Sequence, residues 1–266
     1  MTLDDANARF WDELCGTGLA RSLGIAELNQ DSLARFDAAY FDYYPYLTPL
    51  IEWAGLAGRR VLEIGLGFGT VSEFAARRAG SFHAVDIADA PVALVRRRLE
   101  FIGLPTDGVI RASALALPYP DRTFDTVISI GALHHTGDLS RALDEVWRVL
   151  RPGGRALIMV YNGHSFRRIA FLARQRLAGL LRLHRPYAED DLRAMYDRRT
   201  DGTAAPHTDF RSPGEMRRLF RRFSSVSMER RNFDDYIVAG RMLRRRWFLR
   251  GIDRLLGLDL YVTALK

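Results

Sequence analysis

The stretch Val61-Leu62-Glu63-Ile64-Gly65-Leu66-Gly67-Phe68-Gly69-Thr70 constrains what this chain can fold into more than any other. An apolar, strand-like run leads directly into three glycines at alternating positions. Glycine reaches backbone angles closed to other residues and lets a ligand approach the main chain closely. A glycine-rich passage from strand to helix therefore points to a nucleotide-like ligand at the carboxyl end of a parallel sheet. Two ligand chemistries compete for such a turn. Dinucleotide sites read G-x-G-x-x-G, and the following helix N-terminus holds a pyrophosphate. Here the spacing is G-x-G-x-G, with Glu63 two residues before the first glycine. A carboxylate there repels phosphate and suits a cationic ligand. A tight turn with a purely structural role is the plainer alternative.

The pattern around the turn predicts a Rossmann-like α/β fold. From residue 59 onward, short β-branched runs alternate with amphipathic stretches, as parallel strands do with their crossover helices. The seven strands expected are 60–64, 81–86, 109–112, 126–130, 155–160, 225–230 and 260–265. Helices are expected at 71–79, 91–102, 140–150 and 213–223, with Pro91 in a first turn, where no N–H is needed. Arg151-Pro152-Gly153-Gly154 reads as a turn. The first 55 or so residues read as a helical, aromatic cap, with Leu33, Phe36, Tyr40 and Tyr44 at helical spacing before Pro45 and Pro49. Residues 56–266 then form the main domain, with 163–210 as an insertion after the fifth strand. Cap and insertion are expected to act as a lid. Two basic helices are expected, at 165–183 and 242–256.

Composition narrows the setting. The 266 residues carry a formal charge of +7, and Lys266 is the only lysine. So strong an arginine bias reads first as codon usage. Nucleic acid, anionic lipid and an acidic substrate are the functional alternatives. No apolar run approaches the roughly 20 residues that span a bilayer. Residues 1–10 contain acids and lack the apolar core of a secretory signal. Cys15, the only cysteine, can form neither an internal disulfide nor a thiolate cluster. A cytoplasmic protein without a metal is expected.

Asp86 ends the second expected strand, where an acid can take both hydroxyls of a ribose. Ile87 would lie against an adenine face. An N-cap or a solvated acid is the plainer reading of Asp86, since Asp89 is close by. Further on come Leu117-Pro118-Tyr119, Phe124-Asp125-Thr126-Val127 and Leu150-Arg151-Pro152-Gly153-Gly154. With the glycine turn and Asp86, these make the chain resemble class I methyltransferases of the UbiE-like type (methyltransferase type 11). In that family G-D-A-x-x-L-P-F precedes F-D-x-V, and L-K/R-P-G-G follows. The resemblance covers about residues 58–162. It implies the seven-stranded class I methyltransferase sheet, with S-adenosylmethionine as cofactor and S-adenosylhomocysteine as product. It implies cofactor contacts at Glu63, Gly65, Gly67, Gly69, Thr70, Asp86, Ile87, Ser113, Ala114, Leu115 and Ile130. Ser113 stands where the family has an aspartate. Its hydroxyl still reaches an adenine nitrogen, and the amides of Ala114 and Leu115 can supply the rest.

Gly131-Ala132-Leu133-His134-His135-Thr136-Gly137-Asp138 follows the fourth expected strand. In the family this loop lies beside the transferred methyl. His135, and after it His134, are the candidate general bases for deprotonating a hydroxyl, amine or carbon acid. Shape or helix capping is the plainer role. Candidate substrate contacts are Tyr161 and Asn162 after the fifth strand, Tyr40 and Tyr44 in the cap, and His207 in the insertion. Packing or solvation explains each equally well. The expected activity is methyl transfer to an O, N or C nucleophile of a small molecule by in-line displacement. Positioning alone can supply roughly 7–11 kcal/mol of such a barrier. Alternatives are an RNA or protein methyltransferase, or a cofactor-binding module without catalysis. Gly131-Ala132-Leu133-His134 stands where many nucleic-acid amino-methylases carry Asn/Asp-Pro-Pro-Tyr/Phe. No DNA partner is expected. A homodimer, and membrane-surface contact through the two basic helices, stay open beside solvated faces.

Overall fold

Residues 1–14, 18–180, 189–238 and 240–266 are described in the computed structural model. Cys15 and the end of the helix expected at 165–183 lie outside them. The strands are β1 (Arg60–Ile64), β2 (Ser81–Asp86), β3 (Val109–Arg111), β4 (Phe124–Ile130), β5 (Leu150–Asn162), β6 (Phe210–Arg211), β7 (Ser225–Arg231), β8 (Tyr236–Val238), β9 (Arg241–Leu243) and β10 (Asp259–Leu265). One sheet runs in the order β3-β2-β1-β4-β5-β10-β7. These are the seven strands expected, and the two-residue β6 adds in parallel to the end of β5. The chain leaves β1 towards β2 and β3, then returns to the other side of β1 as β4. The carboxyl ends of β1 and β4 therefore diverge around a crevice, the usual ligand site of such a sheet.

Burial explains which strands are central. Val61–Ile64 is buried throughout, and so is nearly all of β4, since helices cover both faces of a parallel sheet. β10 inserts antiparallel between β5 and β7. Its end closes on the expected turn, where Gly153 N–H donates to the Lys266 carbonyl and Lys266 N–H to that of Gly154. Residues 151–154 thus run on as part of β5, and the β4–β5 register shifts there.

The cap contains α1 (Leu3–Leu14), α2 (Gly18–Ser22), α3 (Gln30–Tyr43) and α4 (Leu47–Ile51). The sheet helices are α5 (Thr70–Ala76), α6 (Asp89–Phe101) and α7 (Leu139–Val149). After β5 come α8 (Phe166–Leu180) and α9 (Glu189–Ala194), then α10 (Pro213–Leu219), α11 (Arg245–Phe248) and α12 (Asp253–Leu256). Ser212 and Glu215 form a capping box at the start of α10, with Pro213 in its first turn. Such a cap stabilises a helix by about 1 kcal/mol. The helix expected over 242–256 does not form. Its place is taken by the hairpin β8–β9 and two single-turn helices, broken by Gly251 at φ +149°. The arginine run there carries no helical apolar stripe long enough to override that break.

A buried ion cluster ties the cap to the sheet. Arg98 of α6 is fully buried and holds Asp37 of α3 at 2.8 and 3.0 Å and Glu73 of α5 at 2.9 Å. Asp37 also accepts from Thr70 Oγ1 at 2.6 Å. A side chain at Gly69 would stand 2.8 Å from Arg98 Cδ, so the third glycine of the turn makes room for this arginine.

Candidate active site

The crevice is floored by the glycine turn. Gly65 and Gly67 line it, both at positive φ. A Cβ on Gly65 would lie 2.2 Å from that of Ala132, so this glycine lets the loop after β4 close against β1. A Cβ on Gly67 would meet no protein atom within 4 Å. Its bare face opens on the cavity, which is the cradle a close-lying ligand needs.

Asp86 and Ile87, at the end of β2, form the next wall. Asp86 is buried, and each of its oxygens takes one backbone amide: Leu66 N–H at 2.8 Å and Ala88 N–H at 3.0 Å. The amides fix the carboxylate and leave it acceptor capacity for a ribose hydroxyl. Burial raises its pKa, and these amides together with that of Ile87 oppose the rise. Ser113 and Ala114 continue the wall after β3. Ser113 Oγ accepts Leu115 N–H at 3.2 Å, so its proton remains free to donate. Leu115 faces the core, not the cavity. Ile130 lines the opposite side.

Three expected cofactor residues stand behind the wall. Gly69 packs on Arg98, and Thr70 gives its hydroxyl to Asp37. Glu63 is buried, with Oε2 accepting from Ser72 Oγ at 2.6 Å. Burial pushes its carboxyl up to about 8. It is one residue behind Ile64, which does line the cavity.

The two histidines share one turn, Leu133–His135, yet differ sharply. His135 is on the cavity wall. Its Nδ1 lies 2.7 Å from the His207 carbonyl. A carbonyl only accepts, so Nδ1 carries the proton and Nε2 the lone pair. Among the described residues Nε2 has no hydrogen-bond partner, and the nearest carboxylate oxygen, Asp197 Oδ2, is 3.6 Å away. Asp197 accepts the Tyr161 hydroxyl at 2.8 Å. Burial lowers His135 and raises Asp197, and each opposes the other's shift. His134 is fully buried off the wall, between the rings of His135 and Tyr161. Neither of its nitrogens makes a well-formed hydrogen bond, and burial holds it well below the usual histidine range.

The expected substrate residues do not line the cavity. Asn162 is fully buried, donating to the Gly257 carbonyl at 2.7 Å and accepting from His164 N–H at 3.0 Å. Those bonds use it to join β5 to the segment before β10. Tyr40 and Tyr44 pack with Phe36, Tyr43 and Tyr46. Tyr161 lies in a second layer behind His135, and His207 contributes its carbonyl while its ring lies 3.5 Å from Asp209.

The cap covers the site as expected, but through residues that the sequence reading does not name. Asp4, Asn7 and Trp11 of α1 line the cavity. Asn7 Nδ2 donates to the His135 carbonyl at 2.8 Å, and the Trp11 ring lies 4.7 Å from the imidazole. Asp12 caps Ala90 N–H at the start of α6 at 2.8 Å. Glu13 pairs with Arg199 and accepts Thr200 N–H at 3.0 Å. Asp4, Asn7 and Trp11 fall on one helix face at i, i+3 and i+7, the signal that was available. Among the described residues, no group of three or more metal-ligating side chains collects anywhere.

Residues 62–158 match the family profile described as methyltransferase domain. The chain is 36% identical over 107 residues to demethylmenaquinone methyltransferase of Thermus thermophilus, covering 40% of this chain and 48% of that protein. It is 35% identical over 112 residues to ubiquinone biosynthesis O-methyltransferase of Pseudomonas aeruginosa, covering 42% and 48%. The chain thus spans about half the length of the curated relatives it matches. Among solved structures, the YcgJ protein of Bacillus subtilis superposes with a TM-score of 0.54 at 18% identity, covering 84% of this chain and 98% of that one. That likeness concerns the fold. Residues 62–158, which contain the glycine turn and Asp86, thus resemble the methyltransferase domain of these relatives.

Proposed function

We propose that the protein transfers the methyl group of S-adenosylmethionine to a small-molecule acceptor, with His135 as general base. The observation that carries this reading is the His135 ring on the wall of the cavity that Gly67 and Asp86 line, with its buried Nε2 free of hydrogen bonds and 3.6 Å from Asp197. The residues present fit the cofactor. Asp86 offers acceptor capacity to a ribose hydroxyl, Ile87 an apolar face to adenine, and Ser113 a donor to its nitrogens. The half-buried carboxyl of Asp4, on the cavity wall, gives the amino-acid end a negative environment.

When bound, the cofactor supplies a methyl on a sulfonium, so the acceptor–carbon bond forms as the C–S bond breaks and its electron pair returns to sulfur. His135 Nε2 takes the acceptor's proton, and Asp197 steadies the imidazolium so formed. The His207 carbonyl and Asn7 keep the ring in place. The roof from α1, with the segment around Asp197 and His207 behind His135, acts as the lid that keeps water from the reacting atoms.

The names of the relatives favour a quinone-type acceptor, methylated at a phenolic oxygen or a ring carbon. Both routes draw on a neutral, acidic phenol hydroxyl, whose deprotonation activates the oxygen or the ring carbon and needs a base. Incubation with methyl-labelled cofactor and a panel of phenolic quinone precursors tests this. Label in an extractable aromatic product is the expected result. Label only in amines, or none with every precursor while the cofactor binds, would overturn the acceptor class.

A further inference from the structure

We propose that α8, the β8–β9 hairpin and the α11–α12 segment form a docking surface for a bilayer rich in anionic phospholipid. The proposal goes beyond methyl transfer and does not depend on it.

Three observations support it. First, apolar side chains stand in solvent here. Leu177 on α8 is 57% exposed, Trp247 on α11 49% and Leu255 on α12 68%, and Ile169, Leu172 and Ile252 are exposed as well. α8 runs for fifteen residues with no buried side chain. A helix serving only a folded core hides an apolar stripe instead. Second, the charge is predominantly positive, with Asp235, 3.8 Å from Arg244, as the exposed acid beside the hairpin. Arg174, Arg176, Arg241, Arg244, Arg246 and Arg250 are exposed. Residues 163–180 contain no acid, and Asp253, the single acid of 236–256, is buried. Third, the elements are neighbours. Phe166 of α8 packs on Phe233 and Tyr236 at 5.7 and 5.1 Å, and Phe233 packs on Phe248 of α11 at 4.4 Å. α11 also touches the cap, with Arg245 stacked 3.6 Å from the Tyr43 ring.

The mixture selects the partner. Phosphate binding alone requires arginines and leaves the exposed aliphatic residues without a role. Pairing with a second copy through the same face would set arginine against arginine. A lipid interface uses both: apolar side chains enter the headgroup boundary while arginines meet anionic headgroups.

Flotation of the full chain with phosphatidylcholine vesicles, with and without phosphatidylglycerol, tests the proposal. Binding is expected only with phosphatidylglycerol, weakening as salt rises. Trp247 emission should shift to the blue on binding, and the shift should vanish in Trp247→Phe. Each arginine near the surface is worth about 1 kcal/mol, so Arg246→Gln with Arg250→Gln should weaken binding about thirtyfold. Leu177→Ser should weaken it further. All four positions are exposed, and unchanged melting temperatures would show the variants folded. Four outcomes would overturn the proposal: no binding to phosphatidylglycerol vesicles, binding unaffected by these substitutions, retention of poly(U) without vesicle binding, or a concentration-dependent dimer that Leu177→Ser dissolves without vesicle binding.

Discussion

The two sides of the cavity are built differently. The floor and the wall from β1 to β4 rely on main-chain geometry: bare glycine faces, amides that pin Asp86, and a strand end that places Ile87. All of it comes from a continuous piece of chain. The roof and the His135 side rely on side chains brought from far away, with Asn7 128 residues and the His207 carbonyl 72 residues distant from His135. A cofactor common to many enzymes can be held by a fixed main-chain cradle. An acceptor particular to one enzyme is met by residues on added segments.

Five substitutions sharpen that contrast. The largest effect is expected at the joint between the two sides. Arg98→Met leaves Asp37 buried without its cation, while the half-buried Glu73 keeps Arg77, and removing one partner of such a cluster costs about 3–5 kcal/mol. Chemical denaturation should show it, and a loss under 1 kcal/mol would mean that the cap is held by apolar packing alone. Next comes the floor. Asp86→Ala removes the charge-assisted contact to the ribose and should weaken cofactor affinity by roughly a hundredfold in calorimetry. Unchanged affinity would remove the ribose role.

The histidines separate chemistry from packing. His135→Ala should lower turnover about a hundredfold or more while leaving S-adenosylhomocysteine affinity nearly intact. His134→Phe keeps the ring between His135 and Tyr161 and should leave turnover within a fewfold. Equal losses in the two variants would contradict the assignment.

The smallest expected effect is a pH dependence of stability. Burial raises Glu63 from 4.5 to about 8. Its protonated form is the one the fold favours, so this contribution is complete below the unfolded value and is lost as pH rises through the folded one. Buried histidines act in the opposite sense at lower pH, because their folded values are lowered. The difference between Glu63→Gln and the parent isolates the carboxyl. The variant's advantage in melting temperature should be small near pH 4.5 and grow towards pH 8. A constant difference would mean that Glu63 is ionised in the folded protein throughout.

The same contrast governs what was legible in the sequence. β1, β2 and β4 were readable because their β-branched and apolar residues are concentrated in short runs, and Asp86 was readable by its place at the end of one. Phe124 and Asp125 were missed as the start of β4 because a strand end carries little pattern. Asn162 and Thr70 looked like ligand contacts, since polar residues after a strand or glycine turn usually face solvent or ligand. Their hydrogen bonds instead join elements distant in sequence, to Gly257 and Asp37. Asp197 could not be found, because its relation to His135 exists only once the segment after β5 folds back. The hairpin β8–β9 escaped for a related reason: its pairing depends on a reversal next to Gly240, inside what reads as one basic stretch.

The most direct measurement is calorimetric titration of S-adenosylhomocysteine into the parent protein and into Gly67→Val. A Cβ there would meet no protein atom within 4 Å and would project into the cradle, while the φ of +50° strains the backbone of the variant. One-to-one binding to the parent, lost in a variant that still melts cooperatively, is the expected result. Equal binding by both proteins, or no binding by the parent alongside binding of NAD, would contradict it.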